Sequence, residues 1–412
     1  MHFLYNFTIT LLHWFLPVST VISKKMKIFV KGRKNVFKQL EQQLEKEKPI
    51  IWFHTASLGE YEQAVPVMEV FKKQFKGHQL VLTFFSPSGY ENKKENAFAK
   101  ATVYLPLDTP RNAQKFLEIV KPEMAFFVKY EFWPNYLQGL KKLDCRTFLL
   151  SGVFRKQQPF FKWYGRWMVS ALDTFEYFFL QNEDSFQSLG ELGFSNKIVS
   201  GDTRFDRVSR QLEMDNGLDF IEEFKNDSLC VVCGSTWSVG ESALASFIND
   251  NEGIAKFVIA PHEIRTDRIA KLKQSLSVKT VLFSEMQGKD VKDYDVLILD
   301  TIGLLTKVYS YADIAYVGGA MGVTGLHNIL EPATFGVPIL TGQYIDKFPE
   351  AKQLQQLEGL HLVRDAEELE NILSRLLKNA DFRNQTGMIT SRFINDNVGA
   401  TNCVMEYLEK HS

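Results

Sequence analysis

The sequence predicts an α/β protein with two Rossmann-like parallel-sheet domains facing a central cleft. Three observations carry that expectation. Short apolar runs alternate with polar helical patterns along most of the chain, as in parallel sheets covered on both faces. The chain has 412 residues, too many for one core. A hydrophilic stretch at about 206–226 interrupts the alternation once, and the alternation then resumes. The expected organisation is an apolar-basic segment (1–40), a first Rossmann-like domain (41–205), a linker (206–226) and a second Rossmann-like domain ending in helices (227–412). Ligands of open α/β sheets bind beyond the carboxyl ends of the strands, so chemistry is expected where two such sheets face each other.

Residues 3–22 contain no charged side chain, and seven cations (Lys24, Lys25, Lys27, Lys31, Arg33, Lys34 and Lys38) then precede the first acid, Glu41. A bilayer span takes roughly 20 residues, but Asn6, Thr8, Thr10, His13, Pro17, Ser19 and Thr20 interrupt this one. A secretory signal places its cations before the apolar run, the reverse of the order here. The segment reads as an interfacial membrane helix: Leu11, Leu12, Trp14 and Phe15 enter the headgroup boundary and the basic cluster meets anionic lipid. If it spans, the cations hold the body of the protein on the cytoplasmic side. The plain alternative is a helix packed on the domain.

Strands are expected at 50–55, 80–85, 102–107, 124–128, 147–150, 177–180 and 197–199. The second series is 229–233, 256–260, 280–283, 296–299, 314–317, 339–340 and 361–363, with helices finishing the chain from about 366 to 410. The net charge of −1 predicts no nucleic acid partner. The four cysteines are scattered, which fits a reducing compartment. Cys230 and Cys233 form a C-x-x-C inside an apolar strand, where positions i and i+3 face opposite sides. They read as buried thiols.

The richest segment is 313–342. An apolar strand runs into a loop with Gly318, Gly319, Gly322 and Gly325. A short helix is expected from about His327, holding Glu331. Glycines let the backbone approach a ligand and a helix N-terminus favours an anion. Glu331 suits two ribose hydroxyls, so the whole reads as a nucleotide clamp. Gly234, Ser235 and Thr236 follow an earlier strand as an anion-binding turn. His262 ends the next strand, and Arg204 sits near the linker. Ser235, His262 and Arg204 together suit a phosphate; singly they read as an N-cap, a loop residue and a surface charge.

In the first half, His54, Ser57, Gly59 and Glu60 follow the apolar run 50–53. Glu60 reads either as a general base on an incoming hydroxyl or as a first-turn acid on a helix dipole. Lys129, Glu131, Trp133 and Pro134 follow the strand 124–128, with Glu131 either facing the cleft or capping a helix. Asp293 and Asp295 form a D-x-D, but before a strand, at the amino edge of the sheet, so no metal is expected there.

In order and spacing these segments resemble the bacterial 3-deoxy-D-manno-oct-2-ulosonic acid (Kdo) transferases. The resemblance covers nearly the whole chain: the N-terminal apolar-basic segment, 54–60, 131–135, 151–155, 181–184, 200–202, 234–236 and above all 317–332. It implies a GT-B fold, CMP-Kdo as donor on the C-terminal domain and a lipid A precursor as acceptor on the N-terminal domain. Glu60 matches the family's catalytic base in Ser-x-Gly-Glu. Glu131 matches the second acid of Glu-x-Glu-x-Trp-Pro, whose first acid is Lys129 here. Arg204 keeps the cation of Gly-Asn-x-Lys, and the family's Pro-Arg-His appears as Pro261-His262. The donor is then expected on Arg204, Ser235, Thr236, His262, Gly318, Gly319, His327, Asn328 and Glu331, and the acceptor beside His54, Ser57 and Gly59. The resemblance implies inverting transfer without cofactor or metal, on the cytoplasmic face of the inner membrane. A GT-B transferase using a UDP-sugar on another lipid-linked acceptor and a non-catalytic membrane-peripheral nucleotide-binding protein are the alternatives.

Overall fold

The computed structural model describes residues 1–21 and 23–411. The chain forms two compact units, Met1–Arg207 with Val398–Ser412, and Val208–Asn397. Each unit is built on one seven-stranded sheet, and every strand pair is parallel.

In the first unit the strands are β1 (Ile50–Thr55), β2 (Gln79–Phe84), β3 (Ala101–Tyr104), β4 (Met124–Val128), β5 (Arg146–Gly152), β6 (Tyr177–Leu180) and β7 (Lys197–Val199). Their order across the sheet is β3-β2-β1-β4-β5-β6-β7. β1 and β4 are buried at every position, which is why they read as continuous apolar runs. Phenylalanine fills one face: the rings of Phe53 and Phe126 stack at 4.8 Å and those of Phe126 and Phe148 at 5.1 Å. The strand order reverses between β1 and β4, and at such a switch point flanking loops part and leave a crevice at the carboxyl ends.

The second unit holds β8 (Cys230–Thr236), β9 (Lys256–Pro261), β10 (Thr280–Leu282), β11 (Val296–Ile298), β12 (Ile314–Val317), β13 (Ile339–Gly342) and β14 (Leu360–Val363). The order is β10-β11-β9-β8-β12-β13-β14, so β8 and β12 flank the switch point. Cys230 and Cys233 are free and fully buried in β8, and burial pushes the Cys230 thiol up to about 12. The aspartates of the D-x-D lie at the amino end of β11.

Three expectations change. The last helix, Ala400–Lys410, belongs to the first unit, where Val404, Met405 and Leu408 join the apolar cluster on β1 and β4. Asp206 accepts hydrogen bonds from the Gly399 and Thr401 backbone and so fixes that helix start. The stretch expected as a linker is ordered, with helix Asp219–Lys225 burying Ile221 and Phe224 in the second unit. The helix expected from about His327 is the single turn Leu330–Ala333, begun where Asn328 Oδ1 accepts from the Leu330 N–H at 3.1 Å.

The N-terminal segment forms helix His2–Phe15, a 3₁₀ stretch Leu16–Val21 and helix Lys24–Gly32. Among the described residues no helix is long and apolar enough to cross a membrane. The first helix keeps most of its large apolar side chains exposed and docks through polar ones. Its polar side docks: Tyr5 Oη donates to Asp108 Oδ2 at 2.7 Å, and Asn135 Nδ2 donates to Asn6 Oδ1 at 2.8 Å. Phe3, Leu4, Phe7, Leu11, Leu12, Trp14 and Phe15 are exposed. Asp108 also accepts from the Asn135 and Tyr136 backbone, yet burial pushes its carboxyl up to about 7.

Candidate active site

The switch point of the first sheet carries two carboxylates. Glu60 is the third residue of helix Leu58–Gln74, and its carboxylate accepts from the Ser57 backbone N–H at 3.0 Å and from the Ser57 hydroxyl, closing a capping box. The first-turn reading of Glu60 therefore describes its local geometry. The same capping box also fixes the carboxylate in one place. Ser57 serves as the N-cap and Gly59 lies in the first turn of this helix.

Glu131 follows β4 and is nearly buried. Lys129 before it takes a left-handed φ of 61°, as does Ser151 near the end of β5 at 46°. Such strained positions concentrate at functional sites. The Trp133 indole N–H points between two acceptors, His54 Nε2 at 3.0 Å and Glu131 Oε2 at 3.1 Å. His54 Nδ1 lies 2.9 Å from Thr83 Oγ1, which also accepts from the Trp52 indole N–H. With Nε2 accepting, the proton of a neutral His54 sits on Nδ1 and is donated to Thr83. His54, expected on the acceptor side, is fully buried with both ring nitrogens engaged. It lies in β1 beside β4, with Nε2 3.6 Å from Glu131 Oε2 and accepting from the Trp133 N–H. Burial, then the charges of Glu60 and Glu131, raise the Tyr130 hydroxyl. The two acids thus share one neighbourhood. Trp133 and Tyr130 were missed as site residues; an indole two residues after an acid reads as core in a sequence.

Arg204 also belongs to the first unit. Its guanidinium donates to Asp202 Oδ2 at 2.9 and 2.7 Å. Burial works to raise the Asp202 carboxyl, but the Arg204 charge and hydrogen bonds, with Gln63, hold it below its ordinary value. The geometry assigns Arg204 first to that buried acid, not to the surface.

The switch point of the second sheet is different in kind. Ser235, the penultimate residue of β8, takes a left-handed φ of 52° where the strand register shifts. Gly318 and Gly319 follow β12. A Cβ on Gly318 would stand 2.0 Å from the Ser235 carbonyl oxygen, and one on Gly319, at φ 90°, 2.1 Å from that of Gly325. Only glycine fits these two crossings. The helix expected at Ser235–Thr236 begins at Ser238, and Thr236 is fully buried, donating to Glu241 Oε1 at 2.8 Å. Thr236 is therefore a strut and does not face a ligand. Trp237, the N-cap, makes no capping bond, so its side chain leaves the first-turn N–H groups of helix Ser238–Asp250 open to an anion. A cavity of about 170 Å³ lies there, lined by Trp237, Gly319 and Thr324 among others.

Trp237 organises the imidazoles. Its ring stacks on His262 at 4.6 Å, and its N–H donates to His327 Nε2 at 2.9 Å. The imidazoles of His262 and His327 lie 4.4 Å apart. Burial, with His262 beside it, lowers the His327 imidazole to about 4. Neutral His327 then carries its proton on Nδ1. Burial also lowers His262, with Arg268 acting the same way. Glu331 accepts from Asn328 Nδ2 at 3.1 Å and from Thr306 Oγ1 at 3.2 Å.

Two parallel Rossmann-like sheets, with strained turns and ligand-suited groups at both switch points, define a GT-B-class protein. UDP-GlcNAc 2-epimerase from Neisseria meningitidis superposes with a TM-score of 0.62 at 14% identity, over 88% of this chain and 100% of that one. MurG of Acinetobacter baumannii gives 0.55 at 13%, over 88% and 99%. Residues 31–207 match the family model described as 3-deoxy-D-manno-octulosonic-acid transferase (kdotransferase). The 3-deoxy-D-manno-octulosonic acid transferase of Aquifex aeolicus is 27% identical over 346 residues, 82% of this chain and 88% of that protein. The enzyme of the same name from Haemophilus influenzae is 24% identical, over 88% and 87%. The chain is thus similar to 3-deoxy-D-manno-octulosonic acid transferases over most of its length.

Proposed function

We propose that the protein is an inverting glycosyltransferase that moves Kdo from CMP-Kdo to a hydroxyl of a lipid A precursor in lipopolysaccharide biosynthesis. The observation that carries this reading is the position of two carboxylates, Glu60 and Glu131, after β1 and β4 at the switch point of the first sheet, where both act on the Tyr130 hydroxyl. Glu60 takes the proton from the acceptor hydroxyl as it attacks the anomeric carbon of Kdo. The transition state is cationic at that carbon, and the adjoining acids favour it electrostatically. Glu131, held by the Trp133 N–H, keeps its charge directed. CMP leaves as a phosphate monoester. The open N–H groups of helix Ser238–Asp250, the Gly318–Gly319 turn and His327 are suited to its charge, and Glu331 to its ribose.

The reading includes attachment to the cytoplasmic face of the inner membrane. Its support is the outward apolar face of helix His2–Phe15, followed by seven cations before the first acid. The acceptor's acyl chains lie in that bilayer.

Purified protein incubated with CMP-Kdo and a tetra-acylated lipid A precursor is expected to give products heavier by whole Kdo units. CMP at a hundred times its Kd stabilises the fold by about 2.7 kcal/mol, and UDP leaves the melting temperature unchanged. A shift with UDP and none with CMP sinks the donor assignment.

A further inference from the structure

We propose that the loop Arg155–Trp167 is a second bilayer contact, placing Trp163 and Tyr164 in the headgroup region of an anionic lipid surface. The proposal rests on the membrane attachment described above and extends it to a segment remote in sequence from the N-terminal helix. Trp163 is 84% exposed, and Tyr164 beside it is exposed too. Two exposed aromatic rings beside the exposed apolar side chains of a neighbouring helix form a patch of the kind that marks a membrane or protein contact.

The loop is built to hold these rings outward. Phe160, in the middle of the 3₁₀ turn Pro159–Phe161, is buried in the core cluster of the first unit and anchors the loop. Gly165 closes the tip, where a Cβ would stand 2.0 Å from the Pro159 carbonyl oxygen. The Gly165 N–H donates to the Lys162 carbonyl at 3.0 Å, and the Met168 N–H to that of Gly165 at 2.9 Å. Trp167, at the loop's end, packs against His2 at 5.3 Å and Tyr5 at 5.4 Å. The loop and the N-terminal helix are therefore neighbours, and the helix turns Phe3, Phe7, Leu11 and Trp14 to solvent.

Charge selects the occupant. No acid occurs between Asp144 and Asp173, whereas Arg155, Lys156, Lys162 and Arg166 lie on the loop. Lys156 pairs with Glu191. Among the described residues, Lys162 and Arg166 flank the exposed rings without an ion pair. Aromatic rings bordered by cations suit the interface of a bilayer containing acidic lipids. Two contacts from different parts of the chain also fix the orientation of the first unit on the surface, which one helix does not.

The test is co-sedimentation of the full chain with vesicles of phosphatidylcholine alone or mixed with phosphatidylglycerol. The Trp163→Ser/Tyr164→Ser variant is expected to partition about tenfold less onto the mixed vesicles, and Trp163→Phe to retain most of the binding. Lys162→Gln and Arg166→Gln each cost about fivefold on mixed vesicles and nothing on phosphatidylcholine. An unchanged melting temperature and CMP response in these variants separates the loop from the donor reading. Partition equal to the parent in the double variant overturns the proposal, as does a parent that ignores both vesicles. Loss of binding only in Phe7→Ser/Leu11→Ser leaves the helix as the contact and removes the loop. A double variant that abolishes self-association at unchanged partition assigns the rings to a second copy and likewise overturns the proposal.

Discussion

The two sheets place their functional groups at the same topological position but with opposite chemistry. At the β1/β4 switch point the side chains are acids, closed into hydrogen bonds with Ser57 and Trp133. At the β8/β12 switch point they are glycine backbone and imidazole, with helix N–H groups left open. One end is suited to remove a proton and favour positive charge. The other is suited to receive a phosphate. The difference shows that a shared Rossmann-like frame fixes where chemistry sits, while loop residues decide its sign.

Glu60→Gln breaks the comparison most sharply. It keeps a capping side chain but removes the base, so kcat is expected to fall about 10²- to 10⁴-fold with CMP affinity unchanged. Full activity in that variant removes Glu60 as the base. Gly319→Ala attacks the other end. Its Cβ meets the Gly325 carbonyl at a left-handed φ, and strain of about 1–3 kcal/mol is expected to weaken CMP about ten- to a hundredfold in calorimetric titration. Retained affinity there shows that the turn does not shape the donor site. Trp133→Phe keeps the ring and loses the N–H shared by His54 and Glu131. A hydrogen bond to a charged group contributes about 1.5–3 kcal/mol, so kcat is expected to fall at least about tenfold, with KM for CMP-Kdo little changed.

The pH dependence of stability sharpens the comparison, because the two units carry opposite signs. Asp108 has a folded value of about 7, above its unfolded one. Its contribution is full below the ordinary carboxylate value and is lost as pH rises through 7, at about 1.4 kcal/mol per pH unit. Asp108→Asn is expected to flatten that slope in denaturant titrations. His327 has a folded value of about 4, below its unfolded one. Its contribution is full above the ordinary histidine value and is lost as pH falls toward 4. His327→Gln is expected to remove this smaller, acid-side loss. A thermal transition of the second unit that does not weaken between pH 6 and 4 contradicts the buried-imidazole arrangement.

The strand frame was legible from sequence because both sheets are parallel and covered, so strands such as β4 and β12 read as unbroken apolar runs at the observed places. The positions of Glu60, Glu131, His327 and Glu331 in segments that follow strands were legible for the same reason. The roles of Thr236 and His54 were not, because whether a polar side chain at a strand end faces ligand or core depends on its neighbours. Trp237 was missed because its partners, His262 and His327, are distant in sequence and meet only when β8, β9 and β12 align.

The sequence by itself determined the two α/β halves, the strand-end positions of the acids and glycines, and an N-terminal segment rich in apolar residues and cations. Periodicity and local turn chemistry encode these, since they depend on residues a few positions apart. The tertiary structure decided that the last helix returns to the first unit, that Arg204 is engaged by Asp202, and that the first helix docks by Tyr5 and Asn6 with its apolar face outward. Those outcomes depend on contacts between residues far apart along the chain, where packing and burial choose among partners that local pattern leaves equivalent.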